Sequence, residues 1–371
     1  MSAREGNLWG VVLAAGSGRR MGSLTRALYG QEVPKQFASF YGGQTLLQQT
    51  MDRLSAVVPP QRTLIVVDEA FAPLAQDQVA SWRGVEVVSQ PRNLGTGPGT
   101  LLGMARIQAK DPDARVIITG SHHFVGRPAP FRKALQALDA ATFRSGEVTV
   151  IGVTPDHPAC DRGWIVGGAA REDQRIRNLR AIHRMTASPP KSIAMLLLGT
   201  GALWSTSVIG GSCKALWSLS RRHLPAHTAS FYELACRNQC AAPDERAQQG
   251  ALYEDMLPAD FDRDVLGKGS SGGDLGVLAA MDCLWSAWTS PDQVFRSLEG
   301  TSHFEPLVDR IVSRMQIDQK TGISPVRSFK KEKRYETRST NHPDHTIPPG
   351  PVPRRVGYEG LASSNRLSPA V

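Results

Sequence analysis

The sequence predicts an α/β fold in which a mixed, mainly parallel sheet is flanked by helices. Short apolar runs of strand length alternate with longer segments whose apolar residues recur at helical spacing. Turns rich in glycine or proline separate these segments. Regular alternation of strand and helix is typical of a parallel sheet with helices on both faces, and ligands of such sheets bind beyond the carboxyl ends of the strands.

The alternation is clearest over the first 150 residues. Strands are predicted at residues 8–15, 63–67, 85–89, 115–119 and 148–153, and helices at 44–57, 70–82, 100–109 and 131–142. We expect a sheet of about seven strands within a domain of residues 1–310. Residues 311–371 are rich in Pro, Ser, Lys and Arg, and we expect a largely disordered tail there.

Composition places the chain among ordinary globular proteins. Of its 371 residues, 41% are hydrophobic and 21% are charged. No apolar run approaches the ~20 residues that span a bilayer, and the polar first residues lack a signal-peptide core. The five cysteines are scattered and odd in number, which argues against a disulfide framework. We therefore expect a cytoplasmic protein without a membrane partner.

The net charge of +9 is concentrated near the end of the chain. Ten Lys or Arg and five Asp or Glu lie between Asp318 and Val371. The modest excess on the rest of the chain suits a protein that handles phosphorylated substrates. Nucleic acid is disfavoured as a partner because the tail lacks regular aromatic–basic interleaving.

The first predicted strand ends in a glycine-rich turn with cations beside it. Ala14, Ala15, Gly16, Ser17 and Gly18 are followed directly by Arg19 and Arg20, and Lys35 follows a proline further on. Backbone N–H groups of such a turn can approach an anion closely, and guanidinium groups suit phosphate oxygens. The pattern favours a nucleotide-triphosphate site, with a solvated basic loop as the alternative.

The motifs GSGRRM and PKQF, in that order, resemble those of the sugar-1-phosphate nucleotidyltransferases, and most closely the mannose-1-phosphate guanylyltransferase type. The resemblance implies a Rossmann-like, nucleotide-diphospho-sugar transferase fold and a reaction between GTP (or another NTP) and a sugar-1-phosphate. By the same resemblance, Arg20 would hold the leaving phosphates and Lys35 the α-phosphate or the sugar phosphate.

Further segments resemble the family up to about residue 300. QPRNLGTGPG resembles its QPxNRGTAPA stretch, which implies that Gln90, Asn93, Gly95 and Thr96 bind the nucleotide; a plain helix-capping turn is the alternative. The resemblance also implies that Gly163, Trp164 and Ser205 bind the sugar. Ser205 stands where the family has Asn.

The family binds Mg²⁺ through two aspartates that this sequence does not keep. His122 stands at the first position and Ala287 at the second. Mg²⁺ prefers hard oxygen ligands, so the expected cofactor conflicts with these residues. His122 is the candidate metal ligand only by its position, and a solvated or packed histidine is the alternative.

Two functional hypotheses follow from these matches and departures. The first is a nucleotidyltransferase that forms a nucleotide-sugar of the GDP-mannose type with release of pyrophosphate. The second is a catalytically degenerate homologue that binds nucleotide or sugar nucleotide as a regulatory or partner subunit. Arg20 and Lys35 favour binding and catalysis, whereas His122 and Ala287 favour the degenerate form. The sequence leaves open whether the chain forms a homo-oligomer.

Overall fold

A nine-stranded mixed sheet forms the centre of the protein. The structure is a computed structural model that describes residues 7–171, 176, 178–239 and 245–321, all within the first of two compact units. The strand order is β3-β2-β1-β4-β9-β6-β10-β8-β7. The strands are β1 (Leu8–Leu13), β2 (Thr63–Asp68), β3 (Glu86–Gln90), β4 (Arg115–Gly120), β6 (Val148–Val153), β7 (Trp164–Ala170), β8 (Leu179–Thr186), β9 (Leu203–Ser212) and β10 (Leu275–Ala280).

The sheet is mixed and mainly parallel, as predicted, but larger than the predicted seven strands. Strands β1 to β4 pair in parallel with one another, and β6 pairs in parallel with β10. Strands β8 and β9 pair antiparallel with all of their neighbours, so the other seven strands share one direction. The sequence pattern did not mark β7, β8, β9 or β10.

Helices cover both faces of the sheet. They are α1 (Gly22–Tyr29), α2 (Leu46–Leu54), α3 (Ala72–Gln78), α4 (Thr96–Lys110), α5 (Pro128–Ser145), α6 (Lys191–Gly199), α7 (Cys213–His223), α8 (Pro225–Gln239), α9 (Glu245–Glu254), α10 (Pro291–Leu298) and α11 (Phe304–Thr321). The four helices and five strands predicted up to residue 153 are present, with ends shifted by a few residues. The pattern missed α1 and a short strand, β5 (His123–Val125).

Alternate residues of β1 pack into two separate hydrophobic cores, one on each face of the sheet. Val12 packs with Leu47 and Met51 of α2 on one face, and Val11 packs with Leu101 of α4 and with other residues on the opposite face. This is the two-residue side-chain period of a strand that is buried on both sides. The strand is therefore anchored from both faces, which fixes where its carboxyl end lies.

A small two-stranded sheet and three helices complete the part that bears on the site. β5 pairs antiparallel with β11 (Trp285–Ala287), with Ala287 opposite His123. Residues of α1, α10 and α11 share a third apolar cluster with Trp288. Helix α11 runs across the predicted boundary at residue 310, and that boundary remains a prediction because residues from 322 onward lie outside those described.

Within the described residues, no helix is both long and apolar enough to cross a membrane. Cys160, Cys213, Cys236 and Cys283 are free thiols, and Cys240 lies outside the described residues.

Candidate functional site

A cleft of about 920 Å³ opens at the carboxyl ends of β1 to β4. It forms there because β1 and β4 end side by side, with Leu13 opposite Gly120. Ser121 joins the two strand ends, since its backbone N–H and its hydroxyl both donate to the carbonyl oxygen of Leu13, at 3.1 and 2.9 Å. The lining includes eight of the residues predicted to bind nucleotide, phosphate or metal: Ala15, Gly16, Lys35, Gln90, Asn93, Gly95, Thr96 and His122.

A buried glutamine holds the glycine-rich turn against the PKQF segment. Gln36 is 1% exposed, and its side-chain amide donates to the carbonyl oxygens of Ala14 and Gly16, at 2.7 and 2.8 Å. Gly18 has φ of 68°, and a Cβ there would lie 3.0 Å from the backbone nitrogen of Lys35. A side chain at this position would therefore be strained and crowded. Gln36 belongs to the PKQF motif, and no role was predicted for it.

The predicted catalytic cations occupy different surroundings. Arg19 and Arg20 lie exposed on a single 3₁₀ turn before α1, and neither is among the residues that line the cleft. Lys35 lies in the cleft, and its ammonium group donates to the carbonyl oxygen of Trp288 at 2.9 Å. Burial, and then the nearby charge of Arg20, lowers the pKa of Lys35 to about 7. At neutral pH this group is therefore poised between its charged and neutral forms.

Positions 122 and 287, where the resemblance implied metal-binding aspartates, lie beside Lys35. His122 lines the cleft, and its carbonyl oxygen accepts from the backbone N–H of Trp288 at 3.1 Å, so Ala287 lies next to it. The ring of His123 lies 5.0 Å from that of His122 and 5.2 Å from that of Trp285, and His123 is not among the residues that line the cleft. As expected for adjacent residues of an extended chain, only one of the two histidines lines the cleft. Burial, Lys35 and His123 lower the pKa of His122 well below its ordinary value, so this imidazole is neutral.

These residues do not fit a Mg²⁺ ion. The donors at this end of the cleft are a neutral imidazole, a hydroxyl and an amine, whereas Mg²⁺ requires oxygen ligands and favours carboxylates. Across the described residues, no group of three or more His, Cys, Asp or Glu side chains is arranged to hold a metal ion. The Mg²⁺ that the resemblance implied therefore lacks a protein ligand set at positions 122 and 287.

The loop before α4 is shaped by close packing against a distant segment. Gly95 has φ of 98°, and a Cβ there would lie 2.4 Å from the carbonyl oxygen of Ala259. The backbone N–H of Gly95 donates to Oδ1 of Asn93 at 2.9 Å, and the backbone N–H of Gly97 donates to the carbonyl oxygen of Ala259. Helix α4 begins at Thr96, four residues before its predicted start, with Gly95 as its N-cap. This corrects the predicted helix boundary.

Two buried polar atoms face the same cleft without partners. Gln90 is fully buried, and its Oε1 accepts from the hydroxyl of Tyr253 at 3.2 Å. Its Nε2, and the hydroxyl of Thr100, have no hydrogen-bond partner among the described residues. Because unpaired buried polar groups are costly, these two atoms indicate a polar ligand in this part of the cleft.

The three residues predicted on the sugar side lie together but outside the cleft lining. The carbonyl oxygen of Gly163 accepts from the backbone N–H of Ser205 at 2.8 Å. The ring of Trp164 is fully buried against Trp204, and its Nε1 donates to the carbonyl oxygen of Ala159 at 2.9 Å. The indole of Trp164 is thus a packing group.

A serine and an aspartate in the cleft were not anticipated. Ser207 of β9 and Asp262 both line it, and the serine hydroxyl donates to Oδ2 of the carboxyl group. Burial raises the pKa of Asp262 to about 6. No glycine pattern or strand-end position marks either residue, so no local signal in the sequence could have identified them.

The fold, with its cleft at the strand ends, is that of the nucleotidyltransferases. Residues 10–173 match the MobA-like NTP transferase domain. The chain overlays a structure described as mannose-1-phosphate geranyltransferase from Thermus thermophilus, with a TM-score of 0.63, 24% identity and 79% of each chain covered. It also overlays mannose-6-phosphate isomerase from Helicobacter pylori, with a TM-score of 0.57, 15% identity and coverage of 76% of this chain and 99% of that one.

Within that class, the chain is related to the sugar-1-phosphate nucleotidyltransferases of the mannose-1-phosphate guanylyltransferase type, as its motifs predicted. It is 26% identical to the alginate biosynthesis protein AlgA of Pseudomonas aeruginosa over 257 residues, which are 68% of this chain and 50% of AlgA. It is 30% identical to mannose-1-phosphate guanylyltransferase ManC of Salmonella typhimurium over 173 residues, 45% of this chain and 35% of ManC. The chain thus spans half or less of these relatives.

Proposed function

We propose that this chain binds a nucleoside triphosphate in the cleft and transfers its nucleotidyl group to a sugar-1-phosphate, releasing pyrophosphate. GTP and mannose 1-phosphate are the first substrates to consider, because relatives carry the name mannose-1-phosphate guanylyltransferase. The observation that carries the proposal is that distant segments of the chain meet in one cleft. Segments around Gly16, Lys35, Gln90 and Gly95, far apart in the chain, line one cleft at the carboxyl ends of parallel strands.

The reaction would proceed by in-line attack of a sugar-phosphate oxygen on the α-phosphorus. The bond to the β-phosphate oxygen breaks, and pyrophosphate carries away the electron pair. Catalysis of such a step rests on positioning and on neutralising charge. In this chain we assign those roles to Lys35 at the α-phosphate or sugar phosphate, to Arg20 at the leaving phosphates, and to the N–H groups of residues 15–18. The N–H of Ala14 is already donated to the carbonyl oxygen of Val66.

A second candidate is binding without turnover, as a regulatory or partner subunit. The observation that favours it is the pair of positions 122 and 287, which lie side by side next to Lys35 and carry a neutral imidazole and a methyl group. A site of this kind would hold triphosphate through cations and backbone donors, with little dependence on Mg²⁺.

The test is a pyrophosphate-release assay over pairs of nucleoside triphosphate and sugar-1-phosphate, with Mg²⁺ or Mn²⁺, run beside calorimetric titration of each nucleotide. Release well above background with one pair establishes the transferase and excludes the degenerate form. Nucleotide binding without release from any pair supports the second candidate. Loss of the guanidinium in Arg20→Ala should weaken binding about ten- to a hundredfold, the usual worth of a charge-assisted contact.

The role of positions 122 and 287 can be tested separately. In the unmodified chain, nucleotide affinity should change little when Mg²⁺ is removed. The double variant His122→Asp with Ala287→Asp should acquire Mg²⁺-dependent binding, because hard ligands then stand beside the phosphates. Each single variant serves as the control. Strong Mg²⁺ dependence in the unmodified chain would show that other oxygen ligands serve the metal.

A further inference from the structure

The cleft contains one carboxyl group in its lining, that of Asp262, among the residues that the structure describes. Asp262 begins a π-helical turn, Asp262–Gly267, a local distortion that is frequent at functional sites. Its Oδ2 accepts from the hydroxyl of Ser207. Its second oxygen, Oδ1, has no donor within hydrogen-bond distance in the described part of the chain and is available to a ligand.

Ser207 adopts a backbone conformation that favours glycine. Its φ is 57°, in the left-handed region that L-residues seldom adopt. Its backbone N–H donates to the hydroxyl of Ser205 at 3.3 Å, which supports the turn. A non-glycine residue in this region carries strain, and such strain concentrates at ligand sites. Ser207, the residue that carries this backbone strain, is also the residue whose hydroxyl donates to the carboxyl group of Asp262.

Asp262 is fixed from a second direction by the loop that precedes α4. Thr96 follows that loop as the first residue of α4, and its hydroxyl accepts from the backbone N–H of Phe261 at 2.8 Å and donates to Oδ2 of Asp260 at 3.2 Å. The backbone N–H of Ala259 donates to the carbonyl oxygen of Leu94 at 2.9 Å. The carboxyl of Asp262 therefore stands between the loop of residues 94–97 and strand β9, on contacts that bridge distant parts of the chain.

The charges in the cleft divide into two groups. Arg20 lowers the pKa of Lys35, and Lys35 lowers the pKa of His122, at the end where the glycine-rich turn lies. The groups that influence the pKa of Asp262 are Ser207 and Asp260 instead. A carboxylate at this second end would repel a phosphate, so it suits an uncharged part of the ligand that offers hydrogen-bond donors. Hydroxyl groups of a sugar ring meet that requirement.

We propose that Asp262 is a recognition residue that accepts hydrogen bonds from a vicinal pair of ligand hydroxyls, and that Ser207 is the positioning residue that holds its carboxyl group. This inference rests on the proposed function. Two sources share the diol chemistry, namely the ribose of the nucleotide and the hexose of the sugar-1-phosphate. The unpaired atoms of Gln90 and Thr100 in the same cleft independently indicate a polar ligand there.

The experiment is calorimetry on the whole chain at pH 7.5 with GTP, 2′-deoxyGTP, 3′-deoxyGTP, mannose 1-phosphate and its 2-deoxy analogue. If the ribose is the source, the unmodified chain should bind GTP about ten- to a hundredfold more tightly than a deoxy nucleotide. In Asp262→Asn this preference should fall below about threefold, because the charged acceptor is lost while Ser207 keeps a partner. If the hexose is the source, the same loss appears in the pair of sugar phosphates.

The variant Ser207→Gly distinguishes a positioning role of Ser207 from a purely structural one. Glycine tolerates φ of 57°, so this variant should melt at the same temperature or higher, yet it should lose part of the preference for the hydroxylated ligand. Equal preference in the unmodified chain, Asp262→Asn and Ser207→Gly would overturn the inference while leaving the proposed function intact. Absence of binding by the unmodified chain to GTP and to mannose 1-phosphate would overturn both.

Discussion

Binding of a triphosphate to this cleft should take up a proton through Lys35. In the free protein, burial and Arg20 hold the pKa of Lys35 at about 7. A bound polyphosphate adds negative charge beside the ammonium group and should return its pKa toward the ordinary range near 10.5. At pH 8 the free amine is then roughly one-tenth protonated and the bound amine almost fully protonated, so uptake approaches about 0.9 proton per nucleotide.

The same arithmetic predicts how uptake changes with pH. It should fall to about 0.5 proton at pH 7 and about 0.1 at pH 6, because the free amine is increasingly charged already. Titration at pH 8 has the further advantage that the terminal phosphate, with a pKa near 6, is already ionised and contributes no proton. Uptake by Lys35 is therefore separable from titration of the ligand.

The assay is isothermal calorimetry of GTP binding at pH 8 in buffers that differ in ionisation enthalpy, such as Tris and phosphate. The slope of observed heat against buffer enthalpy gives the number of protons taken up. Lys35→Arg is the matched control, since a guanidinium remains charged at this pH and should bind without uptake. Equal heats in all buffers for the unmodified chain, with binding present, would refute the reasoning. Uptake that persists in Lys35→Arg would do so as well.

Three further outcomes are expected. Gly95→Ala should sharply lower the melting temperature, because Gly95 has φ of 98° and the added Cβ would lie 2.4 Å from the carbonyl oxygen of Ala259. Gly16→Ala should change the melting temperature little, because no atom lies within 4 Å of its added Cβ. The free energy of unfolding should rise from pH 7 to pH 10 in the unmodified chain relative to Lys35→Met, since the unfolded state, with its higher Lys35 pKa, binds more protons over that window. The imidazole of His122 should show no titration near pH 6.5 in an NMR experiment, because burial and Lys35 oppose its protonation.

Each of these has a result that would contradict it. A melting temperature for Gly95→Ala equal to that of Gly16→Ala would mean that the loop can move away from Ala259. Parallel pH curves for the unmodified chain and Lys35→Met would place the pKa of Lys35 near its ordinary value. A shift of the His122 resonances near pH 6.5 would show that solvent reaches this imidazole.

The phosphate end of the cleft could be anticipated from local sequence. An apolar strand followed directly by Gly16, Ser17 and Gly18 predicts a tight turn at the end of that strand. The signal is local, because the apolar run and the glycines are neighbours in the chain. The alternation of strands and helices up to residue 153 was equally local. The same signals did not reveal β7 to β9, whose pairings are antiparallel and whose flanking segments follow no regular alternation.

The sequence by itself therefore determined the fold class, the glycine-rich turn and the segments that line one side of the cleft. The tertiary structure alone decided what completes that cleft. Ser207 meets Asp262 across 55 residues, and Tyr253 orients Gln90 across 163. Lys35 likewise meets the carbonyl oxygen of Trp288 across 253 residues. Such contacts leave no periodic or motif signal, because their partners are adjacent only after the chain has folded.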